Sequence, residues 1–457
     1  MVRCARTDKG VHAAGNVISL KLVIEDPSIV DKINTELPPQ IRVWGIEQTN
    51  KSFSAYQVCD SRIYEYLIPT YCFLPPHPHS FLGQQIVELA EEENDLHGLQ
   101  ERQAEVADFW DETQEQYLKP VIDSIEPLLR ADVLKRFHNL GYLRNDPVDS
   151  HIKKETDIGE DVKPGIPEED QVFDKELANK PEQCVSAADE EGNRETTDFL
   201  DQEAGHADAC RLHEIEEHVR SLKSAQAEAK RAWRIPQARL DRVRSIFRRF
   251  VGSIKYHNYT VDKKWQDPSA IRVIKSFKVD EKPIIIGKTE WLSLKVHGQS
   301  FMMHQIRKMV SAATLVVRCG CHQGRLQDTF LKDRLSVPKA PSLGLLLERP
   351  VFDKYNEKLL EFGREVIDFG KHEKKISEFK QREIYERIFR VEEKEGVFLS
   401  FWAGLDSTRS ASLLWATSAG LRGTQKDINP GEACGLSALH DLKQVEEEDE
   451  HGAQEDS

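Results

Sequence analysis

Hydrophobic patterning in this 457-residue chain comes in two batches, separated by a long stretch that has none. Residues 145–210 carry 20 acidic and 6 basic side chains and few aromatics, and are interrupted by Pro147, Pro164, Pro167 and Pro181. Such a segment cannot bury enough apolar surface to offset the entropy of ordering it, so it reads as an acidic, disordered insertion. Whatever folds must be assembled from pieces on either side of it. That favours an α+β architecture in which both batches contribute to one sheet. The insertion also explains the net charge of −15: it holds −14, residues 441–457 hold a further −7, and the remainder is therefore +6. A mildly basic folded part suits a partner rich in phosphate.

In the first batch, Val17 to Ile24 alternates, with Ile18, Leu20, Leu22 and Ile24 on one face, and reads as a half-buried strand. Arg42 to Ile46 reads as a second, short strand. Arg62 to Ile68 alternates again until Pro69, Pro75, Pro76 and Pro78 end the pattern. Residues 84–143 read as helices with polar faces. The second batch opens with a basic run, Lys230 to Arg249, with eight basic residues and one acidic. After Pro236, which suits a helix start, Leu240, Val243, Phe247 and Phe250 form an apolar stripe, and Gly252 ends the helix. The arginines lie mostly off that stripe, either as a solvated face or as an RNA-backbone contact. Ile271–Phe277, Trp291–Val296 and Leu345–Val351 read as strands. Met302–Arg318 reads as a helix closed by Gly320, and Lys371–Arg390 as a charged helix. The expected division is a first half over 1–82, a helical insertion over 83–144, the acidic insertion over 145–210, a second half over 211–356, a helical extension over 357–400 and a mostly disordered tail over 401–457.

The eight cysteines are scattered, which argues against a disulfide framework. No signal-like apolar region opens the chain and no run reaches the ~18 apolar residues of a membrane span. The expectation is a soluble intracellular protein. His213 and His218 are five apart and would face different sides of a helix, and Cys319-Gly320-Cys321-His322 lacks a second ligand pair, so no metal is expected. Phosphate-cradling and dinucleotide glycine patterns are absent from the sequence, so no cofactor is expected either.

Three segments carry chemistry. Arg6-Thr7-Asp8-Lys9-Gly10-Val11-His12-Ala13 puts a carboxylate on a sharp turn; taken alone, Asp8 reads as an ordinary Asx-turn residue. Tyr64-Glu65-Tyr66 places two aromatic rings on one strand face. Gly298 to Val310 places Gln305-Ile306-Arg307 on a helix. Together, these segments resemble the TruA-type pseudouridine synthases, most closely their eukaryotic nuclear branch. The resemblance covers roughly 1–80, 229–355 and, more weakly, 371–390. It implies two α/β halves sharing a mixed, largely antiparallel sheet around a basic central cleft. It implies isomerisation of uridine to pseudouridine in tRNA, with small nuclear and messenger RNA as further substrates. It also implies location in the nucleus, with the mitochondrion as a second compartment. Neither DNA nor a membrane is an expected partner.

The resemblance makes Asp8 the catalytic aspartate and Arg307 its ion-pair partner. A carboxylate in a dry cleft drifts toward protonation unless a cation offsets its desolvation, and an arginine fork can bind it bidentately. It makes Tyr64 the aromatic wall for a base that has left its stack, with Tyr66 as the fallback. It makes Leu345 an apolar wall under that base, and Arg6 an RNA contact. Relatives of this type carry a strand and at least one helix ahead of the Arg-Thr-Asp turn, where this chain has only Met1 to Ala5. The expectation is a first half incomplete at its N-terminus and poorly stable unless extended upstream. The competing readings are a non-catalytic RNA-binding protein and an acidic scaffold working through 145–210.

Overall fold

The computed structural model describes residues 1–24, 26–140 and 197–426. The chain divides into one unit made of Met1–Arg144 with Val219–Ser457, and a second, Asn145–His218. Of the acidic insertion, 145–196 lies outside the described residues. From Thr197 the chain is helical, and that helix runs to Ala232, so the disordered reading does not hold for 197–210.

The first unit is organised by a sheet whose strands come from both batches. They are β1 (Val2–Arg3), β2 (His12–Ala13), β3 (Ile18–Ser19), β4 (Ser61–Pro69), β5 (Gly252–Lys255), β6 (Ile271–Val279), β7 (Ile284–Ile286), β8 (Thr289–Gly298) and β9 (Leu345–Val351). The seven-stranded sheet runs β2-β9-β4-β8-β6-β5, with β7 on β8; β1 and β3 form a separate pair. Only the β2–β9 pairing is parallel among the described strands. This is the mixed, largely antiparallel sheet that the resemblance implied. Strand β4 lies between β8 and β9, so both of its edges are paired. Tyr64, Tyr66 and Ile68 pair with Val296, Leu294 and Leu292 of β8, and all six are buried. Pro69, which cannot donate to a ladder, sits at the strand's end.

Between the two tyrosines, Glu65 is buried. A buried carboxylate must be paired, and Glu65 accepts from Ser293, from the Tyr385 hydroxyl at 2.6 Å and from the Lys380 ammonium at 2.9 Å. Lys380 also reaches Glu348 at 2.7 Å. This network fastens the charged helical stretch to the sheet. That stretch runs from Glu373 through a π turn to Glu395 and buries Ile376, Phe379, Ile384 and Ile388.

The helix Gln305–Arg318 is buried along nearly its whole length, with Ala312 and Ala313 allowing close packing. Its last carbonyls have no partner within the helix. Those carbonyls and the ones just past the helix meet a collar of side chains: Gln103 donates to Arg318 O and Arg239 to Val317 O, while Arg102 donates to Gly320 O and Arg242 to Cys321 O. The cations also complement the negative end of the helix dipole. Arg239 and Arg242 belong to the basic run, on the helix Gln237–Arg248. Arg239, fully buried, is therefore neither solvated nor an RNA face but caps another helix, and the half-buried Arg242 donates just beyond that helix's end.

Other expectations are corrected. Of Val17 to Ile24, only Ile18–Ser19 is a strand, paired with β1. Leu20, Leu22, Val23 and Ile24 are exposed, because no described strand lies beside them; alternation marks a face but does not supply a neighbour. Arg42 to Ile46 forms no strand. The Asn34 amide brackets Val43 instead, donating to its carbonyl and accepting from its N–H at 2.8 Å each. Residues 401–426 are no disordered tail. They include the C-terminal part of the helix Val397–Ser407, and Trp402, Leu405, Leu414 and Trp415 are buried. Asp406 there binds Arg318 through two bonds, at 2.6 and 2.7 Å. Residues 427–457 lie outside the described residues.

Candidate active site

The turn carrying Asp8 is held at both ends. Upstream, the Asn16 side chain brackets Ala5, donating to its carbonyl at 3.0 Å and accepting from its N–H at 3.3 Å. Arg62 donates to the Cys4 carbonyl at 2.8 Å. Downstream, β2 is registered on β9, and Ala14 N donates to Leu347 O at 2.8 Å. Between these anchors Val11 N closes the turn onto Asp8 O at 3.0 Å. Gly10 adopts φ +79° there, the left-handed conformation that such a turn requires of its third residue. A Cβ at Gly10 would also meet the Ser342 hydroxyl at 3.2 Å.

The expected pair forms, but loosely. Arg307 Nη1 lies 4.0 Å from Asp8 Oδ2, too far for the bidentate fork. Its Nε donates instead to Ala340 O at 2.6 Å. The nearest cation-forming group is His304, whose Nδ1 sits 3.1 Å from the same carboxylate oxygen. The Asp8 carboxyl is held below the ordinary carboxylate range, first by the His304 hydrogen bond. Burial opposes this, and the charges of His304, Arg307 and Lys339 reinforce it. The Asp8 side chain remains 32% exposed and the His304 ring only 7%. The carboxylate is thus ionised, oriented and open to a partner.

Tyr64 stands behind this pair, 8% exposed. Burial, with Asp8 among the neighbouring charges, pushes its hydroxyl up to about 12. Its ring meets Phe301 edge-on at 5.3 Å between centroids. Phe301 can fold back because β8 ends in Gly298, where a Cβ would lie 2.7 Å from the Phe301 ring. Tyr66 is fully buried and its hydroxyl donates to Pro341 O at 2.7 Å. It sits in the core and holds the 340–342 loop against which Arg307 rests. Leu345 is buried opposite Tyr66 in the β4–β9 register. Arg6 is exposed at the entrance to the turn.

His304, Phe301 and Lys339 escaped the sequence reading. His304 lies three residues before Arg307, inside the segment that carries the resemblance. Its importance depends on a positive φ that no spacing signals. Among the described residues, two of the larger cavities lie elsewhere. One, of about 410 Å³, is lined by Arg102, Arg242 and His322. The other, of about 240 Å³, is lined by Arg42, Trp44 and Phe379. Neither borders the Asp8 turn. Among the described residues no helix is long and apolar enough to cross a membrane.

A family profile described as tRNA pseudouridine synthase matches residues 246–353. The chain is 38% identical over 408 residues to tRNA pseudouridine synthase 1 of Eremothecium gossypii, covering 89% of this chain and 63% of the relative. It is 37% identical over 448 residues to tRNA pseudouridine synthase 1 of Kluyveromyces lactis, covering 97% and 66%. It is 36% identical over 477 residues to tRNA pseudouridine synthase 1 of Schizosaccharomyces pombe, covering 100% and 82%. The chain therefore spans about two thirds or less of the length of the first two relatives.

Proposed function

The chain belongs to the TruA-type tRNA pseudouridine synthase family, and from that premise we propose that it isomerises uridine to pseudouridine in tRNA. One observation carries the proposal. A carboxylate at the tip of a rigid turn is kept ionised by an imidazole at 3.1 Å and a guanidinium at 4.0 Å.

The reaction breaks the C1′–N1 bond, turns the uracil and joins C1′ to C5. The hydrogen on C5 leaves as a proton and N1 gains one, so there is no net oxidation or reduction. Asp8 acts either as nucleophile or as base toward the ribose. Both roles need an ionised carboxylate and both return it unchanged. The target base must leave its stack. Tyr64 and Phe301 then offer aromatic surface, and stacking of this kind is worth ~1–3 kcal/mol per base. The Tyr64 hydroxyl, pushed up to about 12, stays protonated at neutral pH and acts as a donor. In the same reading Arg6 contacts RNA from the turn and Leu345 forms an apolar wall under the base. Small nuclear and messenger RNA are taken as further substrates, and the nucleus as the main compartment with the mitochondrion as a second. These extensions are supported by the resemblance of the three motif segments to the nuclear branch.

The chain should release tritium from tRNA labelled at uridine C5, and Asp8→Ala should release none. Tight RNA binding without release from the parent would replace this reading with that of a non-catalytic RNA binder.

A further inference from the structure

Building on the proposed synthase activity, we infer that His304 is the positioning residue for Asp8, holding the carboxylate's orientation through a direct hydrogen bond. Arg307 is engaged elsewhere. Its Nε donates to Ala340 O, and Ala340 N donates back to Arg307 O at 3.4 Å. Its Nη1 stands 4.0 Å from Asp8. His304 has the closer contact and the more constrained geometry. An ionised carboxylate only accepts, so the Nδ1 of His304 carries the hydrogen.

The backbone is shaped to deliver this ring. His304 is the residue that precedes the helix Gln305–Arg318, at φ +60° and ψ 0°. Side chains at such a position commonly cap the first turn, yet this imidazole makes no capping bond. L residues seldom adopt the left-handed conformation, and when they do the surroundings must enforce it. Here Gln305 enforces it: its side-chain oxygen accepts from Met302 N at 2.9 Å, while its own N–H donates to Met302 O at 3.1 Å. The bracket turns the chain sharply and aims the ring, itself 7% exposed, at Asp8.

Three variants separate the ring from the turn. Asn tolerates the left-handed conformation, and its amide nitrogen falls where Nδ1 lies. Gly adopts the conformation freely but has no donor. Ala lacks the donor and is strained as well. His304→Asn should keep turnover within about fivefold of the parent, while His304→Gly and His304→Ala fall on the order of a hundredfold, the scale of a misplaced reacting group. RNA affinity should be unchanged in all three. Carboxyl NMR supplies a readout that needs no turnover. The Asp8 titration should move toward the ordinary range in His304→Gly and stay low in His304→Asn, with Arg307 and Lys339 still facing it in both. Gly matching Asn, or losses confined to RNA affinity, would overturn the inference. A parent that releases no tritium counts against the synthase reading instead, and the NMR titration still decides the role of His304.

Discussion

Replacing Arg239 tests whether the basic helix Gln237–Arg248 serves the fold or the RNA. Its side chain is 0% exposed. Nε donates to Phe73 O at 2.8 Å, Nη1 to Gln103 at 2.9 Å and Glu105 at 3.1 Å, and Nη2 to Val317 O at 3.3 Å. Burial pulls the guanidinium down to about 10, still fully charged at neutral pH. Arg239→Ala would strip the donor from two main-chain carbonyls and from a carboxylate that is 19% exposed. Breaking a buried pair costs roughly 3–5 kcal/mol, and the orphaned carbonyls overlap with that figure rather than add to it. The expected loss is therefore about 4 kcal/mol, a large share of the ~5–15 kcal/mol that holds a typical domain. Urea unfolding followed by tryptophan fluorescence would read it. Arg248→Ala, at an exposed position of the same helix, should stay within about 0.5 kcal/mol of the parent. An Arg239 variant within ~1 kcal/mol of the parent, or one that keeps its stability but binds RNA with a flatter salt dependence, would refute the capping role.

Three further outcomes are expected. Because the Asp8 carboxyl titrates below its usual 3.8, turnover should show no carboxylate limb near neutrality. The stability that ionised Asp8 contributes should be complete above about pH 4 and disappear only as pH falls through the lowered folded value. A turnover limb near pH 5–6 that vanishes in an Asp8 variant would contradict this. Tyr66→Phe removes the donor to a buried carbonyl and should cost about 1–2 kcal/mol of stability while leaving RNA affinity intact; weakened affinity at full stability would restore Tyr66 to the pocket. Asp406→Asn leaves the buried Arg318 guanidinium without its counter-charge and should lower stability by roughly 3 kcal/mol in the same urea assay. A neutral result would mean that Asp406 adds little to holding 401–426 on the fold.

The sheet was legible where side chains alone decide the structure. Arg62 to Ile68 and Leu345 to Val351 carry enough apolar residues to demand burial, and they form β4 and β9. Leu20 to Ile24 carry a similar pattern but depend on a neighbour that periodicity cannot supply. Arginines misled for the opposite reason. Charge suggests solvent, whereas Arg239 is buried by carbonyls at the end of a helix distant in sequence. At the site, Asp8, Tyr64 and Arg307 were singled out by the resemblance of the segments that carry them. The order of their contacts was not. Whether Arg307 faces a carboxylate or a carbonyl depends on where Ala340 falls, and whether His304 reaches Asp8 depends on a single φ angle.

The helix Gln305–Arg318 has a consequence for how the chain can vary. One end presents His304 and Arg307 to the carboxylate; the other is gripped by residues from 102–103 and 239–242. Fourteen residues at 1.5 Å each set the separation at about 21 Å. Substitutions along its length can be absorbed by repacking, but a one-residue insertion would swing the imidazole about 100° away from the turn while the far end stayed clamped. Length, more than composition, is what this helix must preserve, and natural variants should keep its residue count even where its side chains drift.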